Sequence, residues 1–210
     1  MVSSPVEGGI VQSLARPGGH VTGMTTDVGP EVHGKQVELI KEVLPKVKNV
    51  AFLIEIGYAG LAMVKAIRDG ARARGLDLFD VAWADNRGFD AAFTLIESRR
   101  PDALLVPALA PHFARRAQIV EFARTMRLPD FHYYLEAAAV GGLCAYGVDI
   151  VDLFRKVAGY VDRILKGAKP ADLPMQQPTR FELAVNLKTA KQLGITFPPA
   201  VLVRADRVIE

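Results

Sequence analysis

The runs Val50-Ala51-Phe52-Leu53-Ile54, Leu78-Phe79-Asp80-Val81-Ala82-Trp83, Ala103-Leu104-Leu105-Val106 and Asp130-Phe131-His132-Tyr133-Tyr134 decide the fold class of this chain. They are short, apolar, and rich in β-branched and aromatic residues, as strands buried on both faces are. Helix-length segments separate them. In Gly60 to Arg74 the residues Leu61, Val64, Ile67, the stem of Arg68, and Ala71 follow a helical period. In Phe89 to Arg99 the stripe is Phe89, Ala92, Phe93 and Ile96; in Pro111 to Met126 it is Phe113, Ala117, Val120 and Ala123. Strand and helix in alternation specify βαβ units with right-handed crossovers, hence an α/β fold with a parallel sheet and helices on both faces. Such sheets hold ligands at the carboxyl ends of their strands, so the loops after the runs are where chemistry is sought.

Outward from this region, residues 5 to 19 read as a short helix with Ile10, Val11 and Leu14, stopped by Pro17-Gly18-Gly19. His20 to Thr26 reads as extended, and Val32 to Leu44 as a helix with Val37, Ile40, Val43 and Leu44 on one face. Beyond Tyr134, a short helix spans Leu135 to Val140 and a strand spans Leu143 to Gly147. Asp149 is placed to cap the longest helix, Ile150 to Lys166, with Gly167 at its C′ position. Ala168 to Pro178 contains three prolines and reads as an extended connection. Phe181 to Val185 alternates as a strand, Asn186 caps a helix to Leu193, Gly194 ends it, and Pro198-Pro199 opens a final amphipathic turn through Val208. Domain boundaries fall near 48 and 147, which divides the chain into 1–48, 49–146 and 147–210.

With 210 residues, half of them hydrophobic and 23% charged, the chain can bury a full core. Net charge is +3, and its densest basic pairs, Arg99-Arg100 and Arg115-Arg116, read as helix ends or exposed faces, which is no nucleic-acid footprint. The single cysteine, Cys144, excludes an internal disulfide and a Cys-based zinc site, and its apolar surroundings describe an inert buried thiol. His20, His33, His112 and His132 lack metal-ligand spacing, so no metal is expected. No G-x-S-x-G elbow occurs and no nucleophile has a nearby base, so neither catalytic residues nor a cofactor are expected. Gly57-Tyr58-Ala59-Gly60 sits where a phosphate loop would sit, but lacks the third glycine and acidic ribose partner of a dinucleotide site; a tight turn is the simpler reading. No run approaches the ~20 apolar residues that cross a bilayer. Residues 1 to 9 carry neither a basic head nor an apolar signal core, so the polypeptide as written is expected to stay where it is made, in the cytoplasm.

Three blocks carry a resemblance. Ser13-Leu14-Ala15-Arg16-Pro17-Gly18-Gly19-His20-Val21-Thr22-Gly23 resembles the "SLARPGGNVTG" stretch of a family of ABC-transporter substrate-binding proteins. Tyr146-Gly147-Val148-Asp149, running into Tyr160 to Pro174, and Gln177 to Lys191 are similar to the same family. The resemblance implies a periplasmic-binding-protein fold of the first type, in which a small solute is trapped between two α/β lobes and handed to ABC permease subunits. It implies a periplasmic location and, from some family members, an aromatic amino acid as ligand. Residues 49–146 would be the complete second lobe, with 1–48 and 147–210 contributing hinge and part of the first. The family's "NP"-containing loop is replaced here by Glu55-Ile56-Gly57-Tyr58, and an export signal and most of the first lobe are missing from the pattern.

Candidate ligand-binding residues follow from the rim loops. Tyr58, Tyr134 and Tyr146 offer stacking faces and hydroxyls, and Glu136 and Asp149 offer carboxylates for a ligand ammonium. Each has a plainer role: Asp149 as a helix cap, Glu136 as a first-turn carboxylate, Asp85-Asn86-Arg87 as a solvated turn. Tyr133 is expected in the core. The alternative function is a nucleotide-binding or enzymatic doubly wound domain. A partly built first lobe would expose the apolar faces of Ile150 to Leu165 and Val32 to Leu44, predicting a homo-oligomer.

Overall fold

A computed structural model describes residues 5–26, 28, 30–58, 60–84 and 89–210. The chain forms two compact units, Met1–Val28 with Val148–Phe181, and Gly29–Gly147 with Glu182–Glu210.

The larger unit is built on a seven-stranded sheet ordered β2-β1-β3-β4-β5-β6-β7. Its strands are β1 (Asn49–Glu55), β2 (Asp77–Trp83), β3 (Ala103–Val106), β4 (Asp130–His132), β5 (Cys144–Val148), β6 (Phe181–Asn186) and β7 (Arg207–Ile209). The β1–β2, β1–β3, β3–β4, β4–β5 and β6–β7 pairs are all parallel. Helices α1 (Pro30–Val43), α2 (Ala62–Ala73), α3 (Asp90–Arg99), α4 (Ala110–Ala114), α5 (Arg116–Thr125), α6 (Glu136–Ala139), α8 (Leu187–Leu193) and α9 (Pro199–Arg204) surround it; α7 (Ile150–Leu165) belongs to the smaller unit.

The apolar runs of β1 and β3 are continuous because both faces of those strands are covered, whereas β2, at the sheet edge, buries only Val81 and Trp83. Ala51, Leu53, Val81, Leu104 and Val106 pack against Phe89, Ala92 and Ile96 of the α3 region and Ile119 and Ala123 of α5. Their strand neighbours Val50, Phe52, Ile54, Ala103 and Leu105 are equally buried. Since successive strand residues face opposite ways, a second apolar layer must cover the other side. Helices α1 and α2 pack together there, where Gly70 lies close enough to Gly34 that a side-chain carbon would touch its Cα at 3.6 Å. Each fully buried Leu, Ile or Phe contributes about 1.5–3 kcal/mol.

Four sequence expectations differ from what is observed. Residues 5 to 19 form turns, not a helix: the Pro5 carbonyl accepts from both Ile10 and Val11, and Ser13 and Arg16 exchange side-chain to backbone bonds. Between Gly8-Gly9 and Pro17 too few residues remain to offset the cost of nucleating a helix. The predicted helix over 111–126 is divided at Arg115, whose φ of −107° and ψ of 19° are not helical. The final segment contains α9 and then strand β7, which pairs with β6 from Ala184↔Arg207 to Asn186↔Ile209. The contact grouping divides the chain after Val28, Gly147 and Phe181, where boundaries near 48 and 147 were expected. Helix α1 belongs with the sheet, its Val37 and Ile40 fully buried, so the Val32 to Leu44 face is covered and not exposed. Residues 182–210 join the same unit because β6 and β7 extend its sheet, and Arg204 pairs with Glu42 of α1.

In the smaller unit, Met24 and Gln176 form a parallel bridge, the Met175 amide donates to Leu14 O, and Thr22 Oγ1 donates to Leu173 O. Helix α7 starts where the Asp149 carboxylate accepts the Asp152 amide at 3.1 Å. It ends at Gly167, whose φ of 98° admits glycine readily, while the Ala168 amide reaches back to Arg163 O. A short 3-10 turn, Pro170–Asp172, interrupts the extended connection.

Candidate functional site

Of the rim residues named from sequence, the structure sets Tyr134 and Glu136 close together after β4, while Tyr58 follows β1, Tyr146 lies on β5 and Asp149 follows it. After β1 the chain turns at Gly57, φ 105°, and the Tyr58 amide donates to Glu55 O at 3.1 Å. The Leu61 amide in turn donates to Tyr58 O. Those amides are committed to the turn itself, so they are not offered to an anion as in a phosphate cradle. Tyr58 is half-buried, and among the described residues no hydrogen bond or ring contact ties its side chain to the other candidates. Ala59 and the Asp85-Asn86-Arg87 turn lie outside the described residues.

After β3 the chain enters a buried polar joint. Trp83 Nε1 can only donate, and it meets His112 Nε2 at 3.2 Å. His112 Nδ1 must therefore carry the proton that it gives to Pro107 O, 3.1 Å away. Burial pushes this imidazole down to about 4, the Pro107 bond opposing and nearby His132 assisting, so the ring is neutral at pH 7. His132 and Asp130, both buried, contact at 2.7 Å, and Asp130 also accepts the Leu143 amide. These groups fix the loops after β3 and β4.

After β4, Tyr133 and Tyr134 meet edge to face at 5.3 Å, and Phe113 meets Tyr134 likewise at 5.1 Å. Both tyrosines are buried, Tyr133 in the core as expected; the Tyr134 ring is held by neighbours and presents no broad open stacking face. Burial, then the charge of Glu136, raises the Tyr134 hydroxyl well above the ordinary phenol range. Glu136 is half-buried, and its Oε2 is sealed from solvent with no hydrogen-bond partner among the described residues. A buried carboxylate oxygen in that condition has unmet capacity for a donor.

Sequence reasoning missed Arg116. The Arg115-Arg116 pair reads as exposed charge, yet both guanidinium groups cover aromatic rings: Arg115 lies 5.6 Å from Trp83 and 5.5 Å from Phe89, and Arg116 lies 4.7 Å from Phe113. Arg116 also donates to Phe113 O at 2.8 Å, while its Nε is buried without a partner. The aromatic at 113 was the available signal, since it lies one helical turn before Arg116. Gln36 was missed as well. Its Nε2 donates to Tyr146 O at 3.2 Å, leaving Oε1 buried and unsatisfied.

Tyr146 on β5 is half-buried, and its hydroxyl is raised first by burial, then by Asp206 and Glu38 against an opposing Arg204. Gly147 next to it is dictated by sterics: a Cβ there would lie 1.9 Å from Tyr133 O. Asp149 serves as the α7 cap in the smaller unit. The Cys144 thiol is buried and raised by that burial. Among the described residues no cluster of three or more His, Cys, Asp or Glu could hold a metal, and no helix is long and apolar enough to cross a membrane.

The parallel α/β sheet and its structural neighbours define the class: a periplasmic-binding-protein fold of type I. A family model described as ABC transporter substrate binding protein matches residues 1–209, and the chain belongs to that family. An ABC domain from Streptococcus pneumonia, solved in complex with L-Trp, is 30% identical, with a TM-score of 0.87 over 99% of this chain and 71% of that one. A conserved domain protein from Vibrio cholerae is 27% identical, with a TM-score of 0.86 over 97% of this chain and 68% of that one. The tyrosine-binding protein of Clostridioides difficile (strain R20291) is 23% identical over 195 residues, covering 92% of this chain. The chain spans about 55% of that curated relative's length.

Proposed function

We propose that this chain is the solute-binding component of an ABC-type importer. It captures a small amino acid or aromatic organic solute non-covalently between two lobes, on the outer side of the membrane, for delivery to ABC permease subunits. No bond in the solute is made or broken. Closure on the solute would follow from contacts made only in the closed form, which supply the differential affinity that shifts the equilibrium.

The observation that carries the amino-acid reading is the Glu136 oxygen, buried and unpartnered at the carboxyl end of the sheet. A primary ammonium supplies the donor it lacks, and the pairing is charge-assisted. Tyr58 and Tyr146, both half-buried, are proposed as the aromatic walls, with Tyr134 near Glu136, and Asp149 is proposed as a further carboxylate. Tyrosine binding by the clostridial relative and tryptophan in the pneumococcal structure support the ligand class.

Calorimetry tests it with L-tryptophan, L-tyrosine, L-phenylalanine and 3-phenylpropanoate, which lacks the ammonium. An aromatic amino acid should bind, and Glu136→Gln should weaken it at least about tenfold, or about 1.4 kcal/mol, without affecting any binding of the deaminated acid. Absence of heat with every aromatic amino acid overturns the ligand class. Equal loss for both ligand types removes Glu136 from ammonium recognition.

A further inference from the structure

Two buried polar atoms of opposite character lie unpartnered beyond adjacent strands of the sheet. Glu136 Oε2, as a carboxylate oxygen, can only accept, and Arg116 Nε can only donate. Strands β3 and β4 pair as far as Val106↔His132. Beyond β3 the chain passes through α4 into α5, which begins at Arg116; beyond β4 it enters α6, which begins at Glu136. Helices α5 and α6 pack together. A run of ring contacts also links the two residues: Arg116 stands 4.7 Å over Phe113, Phe113 meets Tyr134 at 5.1 Å, and Tyr134 feels the charge of Glu136. Yet among the described residues neither atom finds a partner, in the other or elsewhere. Both are enclosed within the unit that carries the sheet, so neither observation depends on an open face.

The guanidinium is already oriented. Its Nη1 donates to Phe113 O at 2.8 Å while its carbon lies over the Phe113 ring, which commits one corner and leaves the edge formed by Nε and Nη2. That edge is a planar fork of two donors, matched to a carboxylate. A plain acid bound there would bring a second carboxylate beside Glu136, and like charges in a desolvated place repel. A solute with ammonium and carboxylate on one carbon removes the conflict. Its ammonium meets Glu136, its carboxylate meets Arg116, and the charges sum to zero. Resting on the reading of Glu136 as the ammonium partner, we propose that Arg116 determines specificity by holding the solute carboxylate on its Nε–Nη2 edge. The site then selects zwitterionic aromatic amino acids over aromatic acids, amines and amides.

Calorimetry compares L-tryptophan with L-tryptophanamide, which keeps the ring and the ammonium but lacks the carboxylate; weak binding is read by displacement. The wild type should prefer the acid at least about tenfold. In Arg116→Met, whose side chain still covers Phe113, the preference should fall below about threefold through weaker L-tryptophan binding, with amide affinity, far-UV dichroism and Trp83 emission unchanged. Arg116→Lys, charged but without the fork, should fall between the two. A wild type that binds amide and acid alike overturns the inference, as does an unchanged preference in Arg116→Met; both leave Glu136 standing. Equal loss of both ligands also overturns it, being the result expected if Arg116 and Glu136 merely share an ordered water. Where the amide is too weak to displace, Arg116→Lys must bind L-tryptophan at least about threefold more tightly than Arg116→Met, and equal values overturn the inference. No heat from any aromatic amino acid with the wild type removes the solute class and this inference with it.

Discussion

Lowering the pH from 7 to 5 should destabilise this protein through His112 in particular, and Trp83 reports on it. The imidazole has an ordinary value of 6.5 and is pushed to about 4 by burial in the fold. Between those values the unfolded chain binds a proton that the folded chain refuses, so stability falls as pH falls through the window. The stabilising contribution is complete above 6.5 and is lost progressively down to about 4. Each pH unit inside the window costs about 1.4 kcal/mol, so the step from pH 7 to pH 5 removes about 2 kcal/mol. Other groups titrate too, which makes the variant the proper reference. His112→Gln can still accept from Trp83 and donate to Pro107 O, but cannot take a proton. Urea unfolding, followed by the emission of Trp83, the sole tryptophan, should be run on both proteins at pH 7 and pH 5. The wild type should lose about 2 kcal/mol more than His112→Gln over the step. Equal losses in the two proteins would refute a neutral, proton-refusing His112.

Two substitutions test the scaffold. Gly147→Ala drives a methyl into Tyr133 O, and because that oxygen is backbone, in the residue just after β4, it cannot turn away as a side chain could; about 2 kcal/mol or more should be lost in urea unfolding, and a loss under about 0.5 kcal/mol would contradict the close approach. Asn186→Ala removes an acceptor for the Thr189 amide at 2.9 Å and a donor to the Ala138 carbonyl at 3.1 Å, so it should cost about 2 kcal/mol, whereas Asn186→Asp, which keeps only the cap, should recover roughly half.

What the sequence revealed follows from how local each signal was. The strands β1 and β3 were legible because burial on both faces forces an unbroken apolar run, β2 from its β-branched and aromatic residues despite its exposed Asp80, and the caps Asp149 and Asn186 because an N-cap bond spans only three residues. Gly167 and Gly194 marked helix ends for the same reason, at φ 98° and 72°. Tertiary pairings left no such trace. Trp83 and His112 are 29 residues apart, and nothing near either residue announces the other. Strand β7 is three residues long and exists because β6 offers an open edge; its own pattern is too short to read. The apolar stripe of α1 was correctly periodic, but periodicity says that a face is buried and not which unit buries it. At the rim, Glu136 could be named from sequence as a carboxylate near a strand end. That one oxygen would be sealed without a donor is a property of three-dimensional enclosure.

That distinction also separates the rim from the grooves elsewhere on the sheet. A groove of about 440 Å³ is lined by Val43 to Val47, Asp102 and Gly194 to Thr196, around the amino ends of β1 and β3. Its carboxylate, Asp102, however, already accepts from the Lys48 and Asn49 amides through a single oxygen at 2.9 Å each, and so serves to anchor the start of β1. A smaller cleft of about 190 Å³ beside Asp130 is in the same position, since Asp130 is bonded to His132 and to the Leu143 amide. Polar groups that already close the fold have little left to offer a solute, and desolvating them for one would be unfavourable. Glu136, Arg116 and Gln36 each retain a buried polar atom with nothing bound to it. All three belong to the unit that carries the sheet, and Gln36 reaches the Tyr146 carbonyl near the carboxyl end of β5. Hydrogen-bonding capacity is thus left over at Glu136, Arg116 and Gln36 among the described residues, and is already used at Asp102 and Asp130.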